Sequence, residues 1–455
     1  MATTYLSKTL GTPTDNKKWT FSCWLKYTKY SGTYPNSESP FFHADGGSTT
    51  SWGFVGFDEA NQLILQNRIS NANVGYVISN AKYADPSAWY NFVAVYDSAN
   101  STAADRQILY VNGERITSLA GETQAPLNTA SNINSAIEHR IGRGHGQYGS
   151  KYFGGLMSYV TFVDGTVYPP TAFGEVDAAS GIWKINTAPS VTYGNNGFSL
   201  KMDTTSPGSD TSGNNNTFTA SGTPTLAQDN CSNNLVTMNP LDNFRAGGTF
   251  SNGNNTVVSR NAGYSYNTST VGVNKGKFYW ECKWSATPTG SGSAVQIGIA
   301  KRQTTSTTNF LGSNLYSYAY QGDSGAVRHN DSTVITYNTY AIGDIIGIAL
   351  DMDNNRLYFS KNGVFQNSSN PADGTNPISI LAPDSTLLDT GFYFAGFGDG
   401  NDSLQQTAQF NFGNGFFGVT AVSSSNADAA GHGLFEYAVP TGYFTLNTKN
   451  LNTYG

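Results

Sequence analysis

Charge is scarce in this chain. Aspartate, glutamate, lysine and arginine make up 12% of its 455 residues, against about a quarter in an ordinary soluble domain. The formal net charge is −6, and no basic stretch supplies the electrostatic footprint that DNA or RNA demands, so nucleic acid is not an expected partner. Long apolar runs are missing too. None approaches the roughly 20 residues of a membrane-spanning helix, and Met1-Ala2-Thr3-Thr4-Tyr5-Leu6-Ser7-Lys8 lacks the apolar core of a signal peptide. The expectation is a chain made in a cytosol, with no membrane insertion. Three cysteines, Cys23, Cys231 and Cys282, are odd in number and far apart, which excludes a disulfide framework or a thiolate zinc site and leaves buried or partly buried thiols. The five histidines, His43, His139, His145, His329 and His432, are too scattered to propose a metal site or a nucleophile–base pair. No cofactor is expected. Helical periodicity of useful length is absent as well.

What is abundant is turn and strand material: 50 glycines, with aromatics at 13%. In the stretch 343–364, Ile345 to Met352 alternates as a sandwich strand does, and Asp353-Asn354-Asn355 tolerates left-handed backbone, so a β-hairpin is expected with Arg356 to Ser360 as its second arm and Lys361-Asn362-Gly363 as the next turn. Such a hairpin needs a partner sheet. Further strands are expected at Trp19–Tyr27, Trp52–Phe57, Gln62–Gln66, Trp89–Tyr96, Ile108–Val111 and Leu156–Val163, with Asn112-Gly113 as the strongest short hairpin signal. At roughly 150 residues per domain, two or three domains are expected.

The run G-D-I-I-G-I-A-L-D through L-Y-F-S-K-N-G at 343–363 resembles the centre of a SPRY domain. Lys275 to Glu281, Gln296 to Ala300, Gly391 to Ala395 and Gln409 to Gly413 match further strands of that family in order. The resemblance covers roughly 246–420 and implies a bent antiparallel sandwich that binds other molecules through its loops. Toward the N-terminus, W-T-F-S-C-W at 19–24, W-Y-N-F-V-A-V-Y-D at 89–97, I-L-Y-V-N-G at 108–113, I-G-R at 141–143 and Y-F-G-G-L-M-S-Y-V-T-F-V-D-G at 152–165 resemble the laminin-G-like, concanavalin-type jelly roll. Proteins of that fold commonly bind carbohydrate or protein at one rim, some through calcium. No calcium site maps residue by residue onto this chain.

The fold class expected is therefore all-β, two antiparallel sandwiches in series: a concanavalin-like unit at 1–222, a polar linker at 223–245, a SPRY-like unit at 246–422, and a loop and C-terminal tail at 423–455. The linker reading rests on a run dominated by Ser, Thr, Asn, Gly and Pro around 203–234, which buries too little apolar surface to fold alone. The strings 169–175, 203–219, 233–242 and 440–451 resemble those that join modules in tail or particle-surface proteins of bacteriophages, marine ones in particular.

Catalysis finds little support. A concanavalin-type glucanase needs paired carboxylates on one strand face, and the nearest match, Glu175-Val176-Asp177, lacks the second glutamate. Asp351-Met352-Asp353-Asn354-Asn355 has Arg356 where a calcium loop needs glycine and Gly363 where it needs glutamate. Gly142-Arg143-Gly144-His145-Gly146 has no helix after it to make a phosphate cradle and reads as a rim loop. Binding remains, through aromatic faces and planar polar groups on loops. Two clusters qualify: Tyr316, Tyr318 and Tyr320 with Arg328 and His329, and Arg143, His145, Tyr148 and Tyr152. The bland readings are a half-buried strand for the first and a solvated turn for the second. Phe435, Tyr437, Tyr443, Phe444 and Leu446 offer apolar groups without an evident core and are expected to pack on a neighbouring protein.

The function expected is that of a non-enzymatic structural protein on a virion surface, in a tail fibre, tail tip or head fibre, that attaches to a host-surface glycan or protein and also contacts other virion proteins. Resemblance to such fibres implies a homo-oligomer, a trimer in the usual case. Low charge predicts adhesion insensitive to salt. The alternative is a capsid decoration or fibre-shaft protein that touches only virion neighbours; more remote is a polysaccharide-degrading enzyme.

Overall fold

The computed structural model describes residues 4–28, 39–46, 48–144, 151–178, 180–242, 248–260, 263–289, 295–301, 308–383, 390–400 and 404–455. They fall into two compact units, Met1–Leu226 with Asn230–Ser232, and Ala227–Asp229 with Asn233–Gly455. Both are built of antiparallel sheets, and among the described residues one short α-helix, Thr448–Tyr454, interrupts the all-β pattern.

In the first unit an eight-stranded sheet runs Leu119–Thr123, Ala72–Lys82, Gln62–Ile69, Trp52–Phe57, Ser39–Ala44, Glu138–Ile141, Tyr5–Thr9, Thr219–Ser221. A six-stranded sheet runs Phe198–Leu200, Gly155–Asp164, Lys18–Tyr27, Tyr90–Asp97, Gln107–Val111, Glu114–Arg115. Alternation makes the core. Trp19, Phe21, Cys23 and Leu25 share one buried face of their strand; Phe21 stacks on Phe42 of the other sheet at 5.0 Å, and Trp19 on Tyr96 at 5.7 Å. The opposite face of the six-stranded sheet is covered as well, with Phe173 packed on Val93, Val95 and Val163. At the Asn112-Gly113 turn both φ angles are positive, 49° and 85°, as a tight two-residue hairpin requires.

The second unit is organised on Lys277–Thr289, which pairs with Ile345–Asp351 on one side and Gln405–Asn411 on the other. The hairpin forms in the register Leu350↔Leu357 and Asp351↔Arg356. Asn355 takes a φ of 53°, and buried Asp351 accepts from the Asn354 backbone at 3.1 Å while pairing with Lys277 at 3.2 Å. These carboxylate bonds close a turn. A second sheet, in the order Ser265–Val273, Tyr393–Asp399, Val295–Ala300, Ser317–Gln321, Ala326–His329, Ser332–Thr336, encloses a core that includes Trp280, Ile297, Ile348, Leu357, Phe397 and Phe410.

Two sequence expectations give way here. Part of the segment assigned to a linker at 223–245 belongs to the second core: Val236 and Met238 are buried in it, because the Thr237 carbonyl and the Asn239 amide pair with the backbone of Thr270 and Thr268 and extend that sheet edge. The C-terminal residues are likewise packed on their own unit. Phe435, Tyr443 and Leu446 are buried, Phe435 meets Tyr279 edge-on at 5.2 Å, and Phe444–Thr445 pairs in parallel with Phe278 and Tyr279. Half-buried Phe444 stacks on Tyr454. Half-buried Tyr437 donates its backbone N–H to Glu281 at 2.8 Å. The tail packs most of its apolar groups within the chain and forms a wall of the second unit, so the expectation that it has no core of its own is corrected.

Candidate functional site

Antiparallel pairing places Tyr5 and Ser7 on the outer face of the eight-stranded sheet, with Ser7 opposite Arg140 and Arg140 opposite His43. Leu6, His139 and Ile141 take the inner face and are buried, so the alternation of the two strands orients the outer groups. After Ile141 the chain turns at Gly142, whose φ of 82° suits glycine. Arg143 then forms an isolated bridge with Tyr152. The result is a compact cluster. The Arg143 guanidinium lies 4.7 Å from the Tyr5 ring and 5.0 Å from the Tyr152 ring, and the Arg140 guanidinium lies 5.1 Å from Tyr5. Tyr5 and Tyr152 are 6.4 Å apart, edge to face. All four side chains are half-buried.

Glu138 binds Arg140 through two contacts, 3.2 and 3.1 Å, and fixes its plane. The Tyr5 hydroxyl is held below the ordinary phenol value, first by its hydrogen bond with Ser221 and then by the charges of Arg140 and Arg143. Guanidinium groups this close to aromatic rings make a partly solvated surface that combines cationic and aromatic character. Farther along the same face, His43 lies against Trp52 at 6.2 Å, and Arg68 sits 5.9 Å over the Trp52 ring. His43 and Trp52 are buried.

Of the sequence-derived cluster, the structure thus brings Arg143 and Tyr152 together; His145 and Tyr148 lie outside the described residues. Tyr5 and Arg140 were missed. Their signal was the period-two alternation in Tyr5-Leu6-Ser7 and in Glu138-His139-Arg140-Ile141, too short to stand out without the pairing.

The other cluster is taken apart by burial. Tyr318 and Tyr320 are 2% and 0% exposed, which leaves no face for a ligand. The Tyr318 ring stacks on His329 at 4.0 Å, its hydroxyl accepts from the Leu381 amide, and the Tyr320 hydroxyl donates to the Asn338 carbonyl. His329 Nδ1 hydrogen-bonds the Ser317 carbonyl, and burial first of all lowers its pKa. Arg328 is paired with Asp331. Tyr316 is half-buried just before the strand. Tyr318 and Tyr320 are core strand residues, and their expected ligand role is corrected accordingly.

Glu175 and Asp177 both pair with Lys184 across an exposed hairpin, at 3.2 and 3.3 Å, which ties up the closest approach to a catalytic carboxylate pair. Among the described residues no group of three His, Cys, Asp or Glu side chains could hold a metal ion, and no helix among them is long and apolar enough to cross a membrane. His139 is a satisfied core histidine, with Nδ1 on the Ile137 carbonyl and Nε2 accepting from the Asn134 amide.

Comparison with known proteins agrees with this architecture. Residues 2–170 match the concanavalin A-like lectin/glucanases superfamily, and residues 277–371 match the SPRY domain. Similar solved structures include the SPRY domain of human HERC1, at 18% identity over 36% of this chain and 91% of that one, with a TM-score of 0.28. Stonustoxin matches at 18% identity over 39% and 27%, with a TM-score of 0.28, and a human SPRY domain at 16% over 34% and 90%, with a TM-score of 0.25. No curated protein matches. The chain is an all-β protein with a concanavalin-like N-terminal domain and a C-terminal SPRY domain.

Proposed function

We propose that this chain is a non-enzymatic surface protein of a bacteriophage particle, carried in a tail fibre, tail tip or head fibre, that adheres to a glycan or protein of the host-cell surface. The observation that carries the adhesive part is the Tyr5–Arg140–Arg143–Tyr152 cluster: half-buried aromatic rings and guanidinium groups gathered on the outer face of a lectin-like sandwich. Such groups bind sugars or peptide side chains at little entropic cost. The particle context is supported by the module-joining strings at 169–175, 203–219, 233–242 and 440–451. The decoration alternative drew on strand edges and on a tail without a core of its own, and burial of Phe435, Tyr443 and Leu446 weakens the second of these.

Immunogold electron microscopy of the encoding phage, with antibody against this chain, tests the placement. Label at fibre tips or the tail is expected. Even label over the head would favour decoration, and particles without label would remove the virion reading.

A further inference from the structure

We infer that a cleft on the outer face of the six-stranded sheet takes the acetamido group of an N-acetylhexosamine, with the carbonyl oxygen on the Trp24 indole N–H and the methyl group against Phe173 and Ile185. The cleft lies on the other sheet from the Tyr5 cluster, and the inference rests on the glycan side of the adhesion reading. Its first support is a break in the strand ladder. Along Lys18–Tyr27 the inner face carries Trp19, Phe21, Cys23 and Leu25, so Ser22 and Trp24 take the outer face. Their partners on Gly155–Asp164 are Thr161 and Ser158, and between those two the register slips. Tyr159 stands in the slip with a φ of 49°, a strained conformation for a bulky residue. Bulges of this kind gather next to sites, where they redirect side chains. Here the bulge borders a cleft of about 210 Å³, its open mouth included, to which the sheet contributes Ser22, Trp24, Tyr159 and Thr161.

The second support is an orphaned donor. Trp24 is 3% exposed, and its buried indole N–H, which can only donate, has no hydrogen-bond partner. Such a group is expensive to leave unmade, and an acceptor entering the cleft satisfies it. The Ser22 hydroxyl already accepts from the Asn91 side chain, so its own proton remains to be donated. No residue lining the cleft is charged. An ionised group would lose its hydration there without a counter-charge, so the group that enters is neutral. The segment that covers the sheet contributes apolar Phe173, Ile185 and Pro189. Asn186 beside them is occupied, since its amide donates to the Ala172 carbonyl and its oxygen accepts from Ala188, and it braces that wall. Pockets that enclose a whole ligand begin at roughly 300 Å³, so this cleft receives one substituent and not a whole sugar. A hydroxyl would meet the donor alone, and a methyl the apolar wall alone. An acetamido group meets both.

The test uses the full chain with nitrogen-15 in the indoles of its seven tryptophans, and two neutral trisaccharides as probes: tri-N-acetylchitotriose and cellotriose, which differ by acetamido in place of hydroxyl. The Trp24 signal is the one lost in Trp24→Phe. Chitotriose is expected to shift that signal saturably and to bind at least about tenfold more tightly than cellotriose, the range of one hydrogen bond. Trp24→Phe keeps an aromatic ring and removes the N–H, so it should erase the preference at an unchanged melting temperature. Ile185→Gln alters the covering segment instead of the sheet and should weaken chitotriose at least about tenfold as well, which keeps the inference open to failure if Trp24→Phe does not fold. A Trp24 signal that chitotriose leaves unmoved, equal binding of the two probes, or wild-type affinity in Ile185→Gln would overturn it. Host cells that still bind the chain would then preserve the adhesion reading, and cells that do not would remove both.

Discussion

At the scale of single residues, the second unit contains one buried carboxylate with an unusual task. Glu281 is 0% exposed and accepts four hydrogen bonds, from the backbone of Glu436 and Tyr437, from the Asn411 side chain and from the Tyr279 hydroxyl. It pins the C-terminal segment to the sheet. Burial outweighs those donors and pushes its pKa from 4.5 up to about 7. The folded state therefore holds the proton more tightly than the unfolded chain, so its contribution is fullest below about pH 4.5 and is lost as pH rises toward 7. The loss is on the order of 3 kcal/mol. Urea titrations of the wild type between pH 4.5 and 8 are expected to show this decline, and Glu281→Gln to flatten it; equal slopes for the two proteins would contradict the assignment. Nothing in the sequence marks Glu281 as a buried acceptor, since three of its four donors come from residues 130 to 156 positions away.

At the scale of elements, the hairpins were legible and the long-range seams were not. Asn112-Gly113 and Asp353-Asn354-Asn355 announce themselves through residue types that accept positive φ, and the strand Trp52–Phe57 has the bounds its alternation implies. Gly113→Ala is expected to cost about 1–3 kcal/mol, because the residue sits at φ 85° and an added Cβ would meet the Trp183 ring at 2.5 Å. A fall in the melting temperature of the first unit measures it. The tail misled for the opposite reason. Phe435 and Tyr443 look coreless in a polar stretch, and only pairing with Tyr279, Ala349 and Tyr358 supplies their core. Phe435→Ala should therefore destabilise the second unit by about 3–5 kcal/mol; chemical denaturation that leaves it within 1 kcal/mol of wild type, on the same scale, would restore the partner-contact reading. The tyrosine run at 316–320 shows the same limit, since period-two spacing cannot say which face is inward.

At the scale of the whole molecule, composition identified a sandwich protein with little charge, and ordered motifs identified both domains. It could not show where charge gathers. Arg140, Arg143, Tyr5 and Tyr152 span 148 positions, and strand pairing alone assembles them. The central claim is that this assembly attaches the chain to a cell surface. Its most direct test is equilibrium binding of the fluorescently labelled full chain to host cells, with an Arg140→Gln/Arg143→Gln double variant of unchanged melting temperature beside it. Saturable binding by the wild type that falls at least about tenfold in the variant is the predicted result. Equal binding by the two proteins, or none by the wild type, would contradict it.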